Sequence, residues 1–422
     1  MEIADPKMNL STPTYSRYAL SLLFVVNMLN YIDRQVLFAV FPLIKTELSL
    51  SDAALGLLGS SFMVSYMVSA PVLGWLGDRY GRVRLAGLGL SLWSIATAVT
   101  GLAGRYSTLL FSRATVGIGE ASFGTVSPGL ISDFFSKEQR GRVLSFFYLA
   151  IPVGSALGYV VGGVIGQTFG WHFAFFLAAV PGLILTVPIL RLREPQRGAT
   201  EKSFSTAYPR IEDYLSLFRN RSFVMTTLAM AAMTFALGGL AQWVPTFLYR
   251  IHGQNVATGN MLFGSITIIS GITGTLSGGW LGDRFQRRSG KGYLMVSGAG
   301  FLAGTPFAVY AITSSSLTGC LTAIFIAEFL LFLNTGPLNT TIVNVTNPSV
   351  RAMAFAVNIF FIHALGDAVS PAILGQLSDV WGLRKALLIT PGVILLAAAL
   401  SFLCARFIEE DTRAEKIITK LI

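Results

Sequence analysis

Apolar residues run along this chain in long blocks separated by short polar loops, with no sustained alternation of apolar and polar positions. About 20 apolar residues in helical form cross a hydrocarbon core. Blocks near 18–44, 54–77, 85–103, 107–134, 142–167 and 171–191 therefore predict six membrane-spanning helices. A second set near 222–249, 257–281, 292–313, 317–346, 352–377 and 385–407 predicts six more. A polar stretch at 192–221, rich in Arg, Glu and Pro, separates the two sets. The expected organisation is an N-terminal six-helix bundle (1–191), a cytoplasmic linker (192–221) and a C-terminal six-helix bundle (222–422). Within the linker Ile211, Tyr214, Leu215 and Phe218 fall at i, i+3, i+4 and i+7. That spacing predicts one apolar helix face lying on the membrane surface.

Composition supports the bilayer as solvent. Of 422 residues 53% are hydrophobic and 12% charged, and the mean hydropathy is +0.63. A soluble domain carries roughly 25% charged residues, so too little polar surface is available here to face water. The net charge of +10 does not point to nucleic acid, because Lys and Arg sit in short loops between apolar blocks. They crowd onto one set of alternate loops, which places both termini in the cytoplasm. Cys320 and Cys404 both lie inside apolar blocks, and with three His in the chain no metal-ligand spacing appears. No cofactor is expected. The opening residues lack a basic n-region and a cleavage site, so the first span is read as retained. Short loops and termini lean towards a multi-pass protein of a prokaryotic inner membrane. No P-loop is present. Gly298-Ala-Gly300-Phe-Leu-Ala-Gly304 lacks the spacing and strand–turn–helix context of a dinucleotide loop.

A repeat links the two sets. Gly74-Trp75-Leu76-Gly77-Asp78-Arg79-Tyr80-Gly81-Arg82 follows the second block, and Gly279-Trp280-Leu281-Gly282-Asp283-Arg284-Phe285-Gln286-Arg287 follows the eighth. Recurrence at the equivalent loop of each half reads as duplication, which is common in transporters. The string resembles the signature between the second and third spans of the major facilitator superfamily. That resemblance implies an all-α membrane protein of twelve transmembrane helices in two six-helix bundles around a cavity that opens alternately to each side. It also implies a conformational gate at Asp78, Arg79 and Arg82, repeated at Asp283, Arg284 and Arg287. A solvated basic loop that only sets topology is the competing reading.

Further strings narrow the resemblance. Asn30-Tyr31-Ile32-Asp33-Arg34 looks like the NYxDR of spinster-type transporters, and Arg113 to Phe123 matches their RxxVGxGEAS. Phe147 to Ser155, His363 to Pro371, Glu328 and Arg193-Glu194-Pro195 also fit. Spinster-like proteins are associated with export of lysophospholipids and sphingosine phosphate, often with proton coupling. Gly154, Gly158 and Gly162 recur every four residues in the fifth span, followed by Gly163, which favours close helix packing. They also resemble the GxxxGPxxGG of superfamily antiporters, with Tyr159 in place of Pro.

Asp33, Arg34, Arg113, Glu120, Glu328 and Asp367 lie inside apolar blocks. An ionisable residue at the bilayer centre costs about 2.5–3.5 kcal/mol, so these groups must pair, protonate or face a wet cavity. Asn27, Asn30, Tyr31 and Arg34 share one face of the first span, with Asp33 on its flank. Arg113, Gly117, Glu120, Gly124 and Ser127 share one face of the fourth. In the superfamily the first, fourth, seventh and tenth spans line the cavity. Asp33 and Glu120 are read as proton-coupling residues, with Arg34 and Arg113 as switchable ion-pair partners or anchors for an anionic headgroup. Permanent ion pairs that fix helix register are the rival reading. Asn27, Asn30, Tyr31, Ser127 and Glu328 are expected at the substrate cavity. Gln242 and Trp243 are either substrate contacts or part of the interfacial aromatic belt. His363 and Asp367, one turn apart, form a secondary polar pair that extends a proton path or holds the helix. The expected function is proton-coupled transport of an amphiphilic anionic lipid by a monomer in the bilayer. A proton-coupled symporter of a small organic anion or sugar is the alternative, and a membrane-embedded lipid-modifying enzyme lacks any nucleophile–base pair or metal cluster.

Overall fold

Inside a bilayer every backbone amide must find its partner within its own segment, which favours helices. The computed structural model, which describes residues 13–195, 217–346 and 351–412, is helical throughout its apolar blocks. Eleven of its helical stretches are long and apolar enough to cross a membrane. The block expected at 107–134 is absent from that set although it forms one continuous helix of 29 residues. At 1.5 Å per residue such a helix is about 43 Å long. Its hydropathy is lowered by Arg113 and Glu120 together with its many Gly, Ser and Thr residues.

The N-terminal helices are α1 (Pro13–Ala39), α2 (Phe41–Leu48), α3 (Asp52–Tyr80), α4 (Arg82–Gly101), α5 (Tyr106–Phe134), α6 (Lys137–Tyr148), α7 (Ala150–Phe169) and α8 (Trp171–Leu190). Beyond the linker follow α9 (Arg221–His252), α10 (Val256–Gln286), α11 (Gly292–Thr313), α12 (Leu317–Phe332), α13 (Thr335–Asn344) and α14 (Arg351–Ile362). A π-helical turn (His363–Asp367) leads into α15 (Ser370–Trp381), α16 (Leu383–Leu387) and α17 (Ile389–Cys404). Several spans are interrupted: α12 runs on through Leu333 and Asn334 into α13, and the next span bends at Gly366, whose φ of −104° and ψ of −110° leave the helical region. Of the surface helix expected in the linker, Ile211, Tyr214 and Leu215 lie outside the described residues. Phe218 is half exposed and packs edge-on against Phe361.

The chain divides into two compact units. One takes the chain up to Leu43 and from Ser61 to the linker; the other takes Ile44–Ser60 and all that follows the linker. Helix α3 therefore starts in the second unit and ends in the first. In the first unit α1 packs along α7, and α4 packs on α5 and α8. The glycine series of α7 explains the first contact: a Cβ on Gly158 would lie 2.6 Å from the Ile32 carbonyl oxygen, and one on Gly154 2.5 Å from that of Met28. Small residues here let two backbones meet. In the second unit α9 and α11 pack on α17, and α11 packs on α12. Phe223, Phe301, Leu331, Ile342 and Ile394 belong to the core they share.

Candidate transport site

Four ionisable side chains converge inside the first unit, two from α1 and two from α5. Arg34 donates from Nε to Glu120 Oε2 at 2.7 Å. Arg113 donates from Nη1 to Asp33 Oδ1 at 3.5 Å. The pairing is crossed: each helix contributes one acid and one base, and each acid meets the other helix's base. Asp33 and Arg34 are neighbours in sequence, so their side chains leave α1 about 100° apart. Asp33 points inward with Arg113 and receives the hydroxyl of Thr97 from α4. Arg34 stays partly open. Its guanidinium carbon lies 4.8 Å from the ring centre of Tyr31, 5.0 Å from Phe62 and 5.2 Å from Tyr66. A guanidinium over aromatic faces gains from the ring quadrupole and needs fewer hydrogen-bond acceptors. Gly124 leaves room for the Tyr66 hydroxyl beside α5.

The four groups are not fully satisfied. Asp33, Arg113 and Glu120 are 2%, 1% and 0% exposed, yet Glu120 Oε1 and Arg113 Nε meet no hydrogen-bond partner among the described residues. An unpaired polar atom at such depth costs about 1–3 kcal/mol or more. Around them Asn27 donates to the Phe147 carbonyl at 3.1 Å and Asn30 is buried. Tyr31 is partly open, while Ser127 is buried and donates back to Phe123 within its own helix.

The duplicated loop keeps different company in its two copies. In the first, Arg82 is buried and pairs with Asp133 at 2.7 Å and Glu194 at 3.4 Å. The Glu194 carboxylate also accepts the backbone N–H groups of Arg82 and Val83, capping the start of α4. Gly81 turns the chain there at φ +104°, where a side chain would be strained. Arg79 lies over the rings of Trp75 and Tyr80. The side chain of Asp78 is outside the described set. In the second copy Asp283 accepts from the Tyr293 hydroxyl at 2.8 Å, Arg284 lies over Trp280, and Arg287 is exposed.

The second unit holds a cavity of about 110 Å³. Its wall includes Leu240, Val244, Phe247, Phe263, Leu331 and Phe332, and Glu328 and Thr267 are its polar members. Glu328 is held by hydroxyls, accepting from Thr267 at 3.1 Å and Ser270 at 2.7 Å. Trp243 is wholly buried, with its indole N–H donating to the Pro371 carbonyl at 3.2 Å; an aromatic-belt residue would face the lipid boundary. Gln242 is also buried and packs against Gly59. His363 and Asp367 meet at 2.8 Å across the π-helical turn. Such turns recur at functional sites, and Asp367 fits only because its neighbour is Gly238.

One cluster in the second unit was not anticipated from sequence. Asp52 accepts two hydrogen bonds from Arg250, at 2.7 and 2.8 Å, and others from Lys45 and Ser378. Asp379 receives the backbone N–H groups of Asp52 and Ala53, both at 2.8 Å. The first turn of α3 is thus capped by a carboxylate more than three hundred residues away.

Comparison with known proteins places this arrangement in a family. A profile of the Major Facilitator Superfamily matches residues 23–371. The chain is 35% identical over 434 residues to protein spinster homolog 1 of Xenopus tropicalis, covering 94% of this chain and 82% of that protein. It is 36% identical over 394 residues to the Homo sapiens protein of the same name, covering 87% and 74%. This chain is a spinster-family transporter of the major facilitator superfamily. The fold agrees: a bacterial homolog of the human lysosomal transporter spinster, in an inward-facing and unoccupied conformation, superposes with a TM-score of 0.88. That match is at 25% identity, covering 95% of this chain and 99% of that one. The nucleoside transporter NupG shares the fold alone, at 13% identity and TM-score 0.71. As a spinster-family member the protein is a multi-pass integral membrane transporter of a small molecule, which removes the lipid-modifying enzyme from consideration.

The spinster signature strings proved to be the converging ones. Thr97, Phe62 and Tyr66 went unread because a Thr and two aromatics in apolar spans look like packing. Phe62 and Tyr66 did leave a signal, one helical turn apart on the face that α3 turns to Arg34.

Proposed function

We propose that this spinster-family protein moves an amphiphilic anionic lipid, of the lysophospholipid or sphingosine phosphate kind, by proton-coupled alternating access. In this reading twelve helices span a cell (inner) membrane as a monomer with both termini cytoplasmic, α5 being the twelfth. The observation that carries the reading is the crossed quartet, in which Glu120 Oε1 and Arg113 Nε stand without partners among the described residues. A proton on Glu120 weakens its hold on Arg34; an anionic headgroup reaching Arg34 or Arg113 competes with the carboxylates for the same guanidinium groups. Proton binding and headgroup binding then favour the same rearrangement of the quartet, which is what coupling requires. The second unit by itself holds an apolar slot suited to a hydrocarbon tail, with Glu328 and Thr267 at its wall. A sugar or small organic anion has no use for a wall so apolar.

The test is flux in proteoliposomes loaded with a pH dye. Lysophospholipid is expected to drive proton movement, with hexose and small organic acids giving none. Robust flux with hexose and no response to any lysolipid would sink the proposal and favour the symporter alternative.

A further inference from the structure

The two copies of the duplicated loop carry the same aromatic–cation module and treat their charge differently. Each copy ends its helix with an exposed Trp four residues before an Arg that lies over its ring: Trp75 and Arg79 at 5.4 Å, Trp280 and Arg284 at 5.7 Å. Trp75 is 55% exposed and Trp280 62%. The second arginine of the first copy, Arg82, is buried and neutralised by Asp133 and Glu194. Its counterpart Arg287 is exposed, and Arg288 beside it adds a further charge. Among the described residues no carboxylate pairs with the guanidinium groups of Arg284, Arg287 or Arg288. The acid of this copy, Asp283, is engaged by the Tyr293 hydroxyl. These five residues, Trp280, Asp283, Arg284, Arg287 and Arg288, line a surface hollow of about 330 Å³.

Three guanidinium groups around one hollow with a single acid repel one another unless an anion joins them. The hollow lies at the end of α10, a helix long and apolar enough to cross a membrane, and Trp rings are enriched where such helices meet lipid headgroups. A guanidinium offers a planar pair of donors that matches phosphate oxygens. An anionic group arriving at that depth with its own apolar anchor is a phospholipid headgroup. We propose that the loop joining α10 to α11 is a docking site for the phosphate of an anionic bilayer lipid, separate from the transport site, held by Arg284, Arg287 and Arg288 with Trp280 as its interfacial wall. The first copy has lost this capacity because Asp133 and Glu194 occupy Arg82 from within.

The site is tested by lipid binding to the full-length purified protein, delipidated and then titrated with phosphatidylglycerol, phosphatidylcholine or inorganic phosphate. Phosphatidylglycerol is expected to bind in preference to phosphatidylcholine. Arg287→Gln with Arg288→Gln should weaken it about 30-fold, since each basic residue near an anionic membrane surface contributes about a factor of five. Arg287→Lys with Arg288→Lys, which keeps the charge and removes the planar donor pair, should fall between parent and Gln variant and serves if the Gln variant does not fold. Arg113→Gln, which removes a transport-site charge, should leave the arginine-dependent component in place. Equal binding of the two lipids, unchanged affinity in both double variants, or loss only with Arg113→Gln would overturn the proposal. Full displacement by millimolar inorganic phosphate would overturn it in favour of a small-anion site.

Discussion

Asp33 and Glu120 are both buried carboxylates with an arginine partner, yet their surroundings differ. Asp33 has Arg113 on one oxygen and Thr97 on the other. Glu120 has Arg34 on one oxygen and, among the described residues, nothing on the other. In the proposed mechanism a proton reaches the open oxygen of Glu120 without breaking a contact, while a proton on Asp33 loosens Arg113. Glu120→Gln and Asp33→Asn keep the size of each side chain. Both variants are expected to unfold within a few degrees of the parent and to bind lysolipid, while substrate-driven proton flux falls at least tenfold. Glu120→Ala is a different change, because it also removes the hydrogen-bond acceptor of the partly open Arg34 and should cost about 1.5–3 kcal/mol, read as a lowered melting temperature. If Asp33→Asn and Glu120→Gln both retain the parent's proton flux, the quartet is a structural clamp. Spacing placed Arg113 and Glu120 on one face of α5 and put Asp33 beside Arg34, but not which acid meets which base. That depends on how α1 and α5 are rotated about their own axes, a quantity no single helix encodes.

Among the elements, α1 and α7 are the pair on which the site depends. The carbonyl oxygens of Met28 and Ile32 rest against Gly154 and Gly158, one turn before Asp33 and beside it. Gly158→Val pushes branched methyls into that contact and should destabilise the protein by about 1–3 kcal/mol, a drop of several degrees in the melting temperature. Because the same shift moves Asp33 and Arg34, transport should fall further than stability predicts, and Gly158→Ala should lie between. A variant with parental melting temperature and parental transport contradicts this account of the contact. The four-residue glycine spacing was visible in sequence as a packing signal. Its partner helix was not, because any helix with an accessible backbone can fill a groove of glycines.

At the scale of the molecule the chemistry is distributed unequally over two related units. The first holds the quartet; the second holds an apolar cavity and the Asp52–Arg250–Asp379 cluster. Filling the cavity tests its assignment to a hydrocarbon tail. Ala327→Phe projects a ring into it, and transport of long-chain lysolipids should drop while short-chain species are spared. The scale is about 0.8 kcal/mol for each methylene denied burial, a factor of about four in apparent affinity. Competition assays across an acyl series measure it, and a uniform loss at all chain lengths removes the tail from this cavity.

What this chain determined by sequence alone was local or repetitive. Apolar runs set where helices cross, the duplicated Gly-Trp-Leu-Gly-Asp-Arg loop marked two related halves, and the cost of burying charge required that Asp33, Arg34, Arg113 and Glu120 find partners. Helical periodicity could do this because it relates residues within one turn or one span. The tertiary structure alone decided the crossing of the quartet, the capture of Arg82 by Asp133 and Glu194, the burial of Trp243 against Pro371, and the capping of α3 by Asp379. Each of these joins residues far apart in the chain. Their pairing follows from the rotation and depth at which whole helices pack, and those are fixed by many small contacts acting together.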